Sequence, residues 1–421
     1  MSEMVSNRRA ALGFVLTTVF LETVGFGFVI PVLPDLLVEL GGQDLSQAAV
    51  DGGWMISIYA LMAFFFAPVM GNLSDRYGRR PVLLIALTAL SIDYLLLANA
   101  ASVAGFVGVS GITVLLIGRA IAGAAGSTAV TANAFIADVT EPDERARYFG
   151  LIGAAWGLGF IVGPALGGVI MAQFGLYAPF YAAAGLVIVT LIAGVIVLPE
   201  TLSPDNRRAF VLWRSNPVGS LMVMSKNPMV LGLLIAFVFF QFAHDANPSV
   251  WAYYAREKFG WGGQAVGLSM AFVGICMVIV MSLVLPFALK RYSEPQVAIF
   301  GLIMMVIGFA GFAAAPNEWV MVAMIIPFSL IGLVNPALKA IISRTLPSNQ
   351  QGEMQGAITS VMSLTMIVAP LVMTRTFNLF TGDDAITYLP GAPYWLAAGL
   401  SVITLMIVVG VLTRTRYERT V

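Results

Sequence analysis

Glu22, Asp93, Arg119, His244, Asp245 and Lys339 stand inside long apolar runs of this 421-residue chain. Each could carry a proton or hold a charged group. A charge at the centre of a membrane helix costs about 2.5–3.5 kcal/mol on insertion scales, so such side chains are expected to face a shared polar interior and not lipid. Glu22 lies in FLETVGFGFVIPVLP, whose apolar neighbours disfavour the ionised carboxylate. A carboxyl so placed can take up and release a proton as water access changes. Glu22 is therefore the first candidate for proton coupling, with Asp93 and Asp245 behind it. Arg119 could line a substrate cavity, or pair with Asp93 or Glu22 to hold the bundle together. His244, beside Asp245, could be a proton site, a substrate anchor or half of a polar pair. Lys339 completes the candidate polar lining. Phe26, Phe28, Phe242, Trp251 and Tyr254 are candidates for its apolar part, although aromatic residues in spans more often serve packing. One histidine and one cysteine, Cys276, offer no metal set and no nucleophile–base pair. No cofactor is expected, and an intramembrane enzyme or receptor is a remote reading.

Composition says what surrounds these groups. Hydrophobic residues make up 59% of the chain and charged residues 10%, with mean hydropathy +0.90. A soluble domain carries roughly 25% charged residues, so lipid must cover most of this surface. The formal net charge is zero, which gives nucleic acid no electrostatic reason to bind. A membrane helix needs about 20 mostly apolar residues. Runs of that kind fall near 10–32, 53–72, 81–100, 108–136, 147–171, 176–198, 228–254, 263–288, 295–315, 319–344, 354–378 and 391–412. The first contains Glu22 and has no small-residue cleavage site at its end, so it reads as a retained span and not a leader. The expectation is an all-α membrane protein of 12 spans. Its six-helix halves, 1–199 and 228–421, are joined by a polar linker at 200–227, where AFVLWRSNPVGSLM could lie on the inner leaflet or be a tether.

Basic residues set the orientation. Most of the 22 Lys and Arg fall at the termini and in alternate loops, which places both termini in the cytoplasm. Asp93 apart, the intramembrane polar residues sit on spans 1, 4, 7 and 10, a period of three that suggests one common lining. Two loops also correspond weakly between the halves, GNLSDRYGRRP after span 2 and PFALKRYSEPQ after span 8, as in the internal repeats of transporters. Span 5 reads LIGAAWGLGFIVGPALGG. Gly159, Gly163 and Gly167 share one helix face and would admit a second backbone at close range. Pro164 can kink this helix.

GNLSDRYGRR, with Gly71, Asp75, Arg76, Gly78, Arg79 and Arg80, resembles the loop 2–3 signature of the major facilitator superfamily. LLIGRAIAGAAGS, which contains Arg119, is similar to that family's span-4 motif. GFIVGPALGG, with Gly159, Gly163, Pro164, Gly167 and Gly168, resembles its antiporter motif. ADVTEPDERARYFG and NPALKAIISRTLPSNQQGEMQG extend the similarity to the tetracycline-efflux branch. The resemblance implies two six-helix halves with pseudo-two-fold symmetry, alternating access and exchange of a small-molecule drug for protons. It implies a monomer in the bacterial inner membrane. Glu22 and Asp93 occupy positions of that branch's span-1 and span-3 acids. The loop 2–3 residues would form a conformational lock of the outward-open state, with Arg79 reaching Asp138. This chain departs from the branch at Met305, where an acid is expected, at Met277, where a histidine is expected, and at Lys339. His244 and Asp245 are additional. Tetracycline is therefore not implied, and a symporter or facilitator for a metabolite or lipid remains the alternative.

Overall fold

The computed structural model of the chain describes residues 2–126, 128–202, 207, 227–347 and 350–418, and these are almost entirely helical. The first part contains α1 (Ser2–Val29), α2 (Leu33–Gly41), α3 (Leu45–Tyr77), α4 (Arg79–Ala98), α5 (Ala100–Val107), α6 (Gly111–Ala125), α7 (Thr128–Val139), α8 (Pro142–Phe174) and α9 (Ala178–Val197). The second contains α10 (Pro228–His244), α11 (Ala246–Phe259), α12 (Gly263–Ile279), α13 (Leu285–Arg291), α14 (Glu294–Ala314), α15 (Glu318–Ser329), α16 (Val334–Thr345), α17 (Gln351–Thr381) and α18 (Ala392–Glu418). Most of the 200–227 linker lies outside the described residues, including the segment expected on the inner leaflet.

The helices begin and end where side chains supply what the backbone lacks. The carboxylate of Asp44 accepts from the Gln47 N–H at the start of α3, and the Ser110 hydroxyl accepts from the Thr113 N–H at the start of α6. Asn227 and Asn317 do the same for α10 and α15. Gly42, Gly108 and Gly260 close α2, α5 and α11 in the left-handed conformation.

Eleven described helices are long and apolar enough to cross a membrane, and one bent pair could make twelve. The fourth expected span is where the structure differs. Residues 108–136 do not form one uninterrupted helix but are divided between α6 and α7. Gly126 ends α6, and α5 meets α6 at an angle of 107°. Gly123 and Gly126 weaken helix continuity there. A related interruption falls in span 10, where a single 3-10 turn, Leu330–Leu333, separates α15 from α16.

The helices gather into two compact units. One is Met1–Ser215 with Trp261–Ala271, and the other is Asn216–Gly260 with Phe272–Val421. In the first, α1 packs along α8 and α9, α3 against α6, and α4 against α9 and α6. The glycines of span 5 form the α1–α8 seam. A Cβ on Gly163 would sit 2.7 Å from the Val24 carbonyl oxygen, and one on Gly167 2.6 Å from Phe28 Cα. From the other side of the seam, a Cβ on Gly27 would sit 2.6 Å from Pro164 Cδ. Neither helix could approach so closely with larger residues. Gly168 points elsewhere, toward Gly263 and Gln264 of the same unit. In the second unit, α14 packs against α18, α15 and α16, and α10 against α18 and α17.

The seam gives a direct test. Gly163→Ala should destabilise the protein by roughly 1–3 kcal/mol, the usual cost of overpacking. Gly157 has open space around it, so Gly157→Ala should leave the thermal midpoint unchanged or slightly raised. Thermal unfolding of both variants in detergent checks the contrast.

Candidate functional site

Within the first unit, four spans bring polar groups together. Asp93 on α4 and Arg119 on α6 form a buried ion pair, at 0% and 6% exposure. Arg119 Nε donates to Asp93 Oδ1 at 3.0 Å, and its Nη2 faces Asp93 Oδ2. The planar guanidinium thus meets both carboxylate oxygens, the arrangement that arginine makes best. Gly118 permits it, because a Cβ there would lie 2.8 Å from Asp93 Oδ1. Arg119 is accordingly committed to Asp93, the structural alternative left open by its sequence position.

Glu22 on α1 stands apart from that pair. Its side chain is half-buried and shares a hydrogen bond with Thr128, the first residue of α7. Tyr59 on α3 and Tyr94 on α4 lie within electrostatic range of Glu22, and Tyr59 also senses Arg119. A Cβ on Gly25, one turn along α1, would be 3.4 Å from the Tyr94 hydroxyl. No cation among the described residues pairs with Glu22. Tyr59, Tyr94 and Thr128 escape a search for charges. Their signal was modest: a polar residue beside Asp93, one in the facing span, and one just past the Gly126 break. Phe26 adds an apolar strip, with ring centroids 6.0 Å from Phe160, which lies 4.7 Å from Trp156. Phe28 is instead buried in the seam.

A second cluster forms at the α3–α4 reversal. Gly78 alone separates the two helices, at φ 111°, a conformation that L side chains rarely adopt. Arg79 Nε donates to Asp138 Oδ2 at 2.9 Å, and its Nη1 donates to Asp75 Oδ1 at 2.5 Å and to the Ser74 hydroxyl at 3.2 Å. Glu200, just past α9, accepts from the backbone N–H of Arg79 at 2.8 Å and of Arg80 at 3.2 Å. An acid on the exposed amides of a helix start is favoured by the helix dipole as well. Arg80 donates to the Val195 carbonyl at 2.6 Å, while Arg76 stacks over Tyr77. Gly71 has open space beside it. Glu200 was not singled out by the sequence, because the acid that completes this loop lies over a hundred residues away.

The second unit holds the remaining candidates. Asp245 joins α10 to α11 and is 8% exposed. Its Oδ1 accepts from Gln241 Nε2 at 2.8 Å and lies 3.4 Å from His244 Nδ1. Phe242 and Lys339 are half-buried, and no hydrogen bond or ion pair joins Lys339 to another described residue. Trp251 and Tyr254, expected to line the cavity, are placed otherwise. Trp251 packs edge-on against Phe312, and Tyr254 against Tyr394. The Tyr254 hydroxyl donates to the Phe312 carbonyl. Both belong to the aromatic core that α11 shares with α14 and α18, because α11 turns that face inward. Met305 is also fully buried, and Met277 borders Gly332. Among the described residues, no group of His, Cys, Asp and Glu could hold a metal ion.

The sequence profile of the Major Facilitator Superfamily matches residues 15–370 and 233–420. The chain belongs to that superfamily. The tetracycline resistance protein of class C from Escherichia coli is 35% identical over 387 residues, covering 92% of this chain and 94% of its own. The class G protein from Vibrio anguillarum is 35% identical, with 89% and 92% covered. A crystal structure of the nucleoside transporter NupG superposes with a TM-score of 0.77 at 15% identity, covering 96% of this chain and 99% of that one. At that identity the likeness shows the fold alone, and the fold is the helical major facilitator fold. The chain is thus a multi-pass membrane transporter of small molecules, and not an enzyme.

The ion pair makes a prediction about stability. Asp93→Asn leaves the Arg119 charge buried and unpaired, which should cost roughly 3–5 kcal/mol. Joining it to Arg119→Gln should recover part of that loss. Glu22→Gln should change the thermal midpoint far less. Unfolding curves of the purified variants decide the ranking.

Proposed function

We propose that the protein is a proton-coupled secondary transporter that exports small amphipathic organic compounds by alternating access. Residues 1–199 and 228–421 serve as its six-helix halves and 200–227 as the linker. The observation that carries this reading is the division of labour around Arg119. Asp93 takes the arginine, so Glu22 keeps a carboxyl with a hydroxyl partner and no described cation. A lone carboxyl in an apolar span is more easily carried neutral, and it regains its charge when water reaches it. That is the behaviour proton coupling requires. Asp93 then neutralises and positions Arg119 more than it shuttles protons itself.

Further support comes from the interrupted spans. Interrupted spans point to the substrate path in transporters of this kind; span 4 is divided after Gly126, and span 10 passes through a 3-10 turn at Leu330–Leu333. The curated relatives are named for tetracycline resistance, which favours outward movement of a drug-like compound. Met277 and Met305 stand where that branch has polar residues, so tetracycline itself is not assigned. The Asp75–Arg79–Asp138 bridges act as the lock, with Glu200 holding the start of α4 beneath it. The setting is a bacterial inner membrane, with both termini cytoplasmic and the protein monomeric.

Two experiments test these roles. In liposomes with an imposed pH gradient, wild-type protein should move protons when an amphipathic drug is added. Glu22→Gln should abolish that movement while drug binding persists. Unchanged proton movement in the variant would remove Glu22 from the coupling role, and proton movement only with sugars or acids would select import. Separately, Asp75→Asn should raise the labelling of cysteine probes placed along an inward-facing path. Unchanged labelling would reduce the loop to a topological anchor.

A further inference from the structure

Asp245 poses a problem that neither the fold nor proton coupling at Glu22 answers. Its Oδ2 is sealed from solvent and has no hydrogen-bond partner among the described residues. Oδ1 has one neutral donor, Gln241, and a long contact to His244. The residue is more than nine-tenths buried. A buried charge is normally paired, and a buried polar atom normally bonded. By contrast, Asp93 in the first unit has a guanidinium on both oxygens.

The neighbouring cations do not fill the gap. Lys258 donates to the Tyr254 hydroxyl and the Ala313 carbonyl, both at 3.1 Å. Arg344 pairs with Glu294. Lys339 and Arg375, on helices packed against α10 and α11, form no ion pair with Asp245. Tyr394 approaches Asn247 at 3.5 Å.

Backbone chemistry at the junction adds to the negative field. Pro248 stands four residues after His244 and has no N–H to return to the His244 carbonyl. Phe240 packs against the ring of His244, the residue before the acid, at 6.2 Å. An unpaired carboxylate oxygen, a carbonyl without its helical donor and an aromatic flank together suit a donor that is both cationic and attached to an apolar body.

We infer that Asp245 is the anchor for a protonated amine on the transported compound, so that the substrates are amphipathic amines. The inference rests on the exporter reading and specifies the charge of what is exported. An ammonium N–H supplies the donor that Oδ2 lacks, and its charge replaces the missing partner. The neutral Gln241 holds Oδ1 and leaves Oδ2 without a donor. A carboxylic or phosphorylated substrate would meet like charge here.

The test is a binding measurement that needs no proton gradient. Dansylcadaverine, a fluorescent amphipathic amine, and its N-acetylated neutral analogue are titrated against purified full-length protein in detergent. Wild-type protein should bind the amine at least tenfold more tightly than the acetylated probe. Asp245→Asn should bring the two affinities within about twofold, while Gly157→Ala, at a position with open space around it, keeps the preference. Equal affinities in the wild type, or a preference that survives Asp245→Asn, would overturn the inference. If Asp245→Asn does not fold, the wild type still decides. A hydrophobic carbodiimide should label Asp245, read by mass spectrometry, and saturating amine but not the acetylated probe should protect it. Labelling indifferent to the amine would overturn the inference too. Coupling at Glu22 is read only in liposomes, so either idea can fail while the other stands.

Discussion

Arg119 can neutralise one carboxylate with full geometry, and Asp93 takes it. Both oxygens of Asp93 face the guanidinium, in a place closed to water and lipid. An arginine between two acids would have been a different device. It would have spread one guanidinium over Glu22 and Asp93 together. The pair is therefore less a stabiliser than a constraint on everything near it. A buried ion pair adds little net stability, because desolvation offsets attraction. What it supplies is a fixed charge arrangement that leaves Glu22 with Thr128 and the two tyrosines.

Other features of the first unit serve that arrangement. The break after Gly126 restarts the helix at Thr128, within reach of Glu22. The α1–α8 seam brings two backbones together through glycines on both sides, and fixes the rotation of α1 that presents Glu22 to α7. At the loop end of α3 the same logic appears in polar form. A single glycine reverses the chain, and Arg79 and Glu200 gather the surrounding charges and amides. Gly78 has two independent reasons to be glycine there: its backbone conformation and the carboxylate of Glu200.

The second unit solves the problem of intramembrane charge differently. Its acid, Asp245, lies at a helix junction and has no arginine. Its aromatic residues are spent on a dense core around Phe309, Phe312, Phe328 and Tyr394. Its buried polar groups are mostly hydroxyls, with Gln241 and Asp245 the exceptions at the α10–α11 junction.

Much of the architecture was legible in the chain itself. Apolar runs long enough to span a bilayer, separated by short polar turns, leave helices as the only way to satisfy the backbone in lipid. The glycine spacing of span 5 announced a close approach, and rare charges announced a polar interior, because both depend on residue type and local period. The interrupted fourth span was less legible: glycines and small residues recur along its whole run around Arg119, and composition does not show at which of them the helix breaks. Tertiary structure alone decided the partnerships. Nothing local tells Arg119 to choose Asp93 over Glu22, brings Glu200 to Gly78, or turns Trp251 and Tyr254 into the core. Such choices depend on the distance and rotation of helices remote in sequence, and these are set by packing over the whole unit.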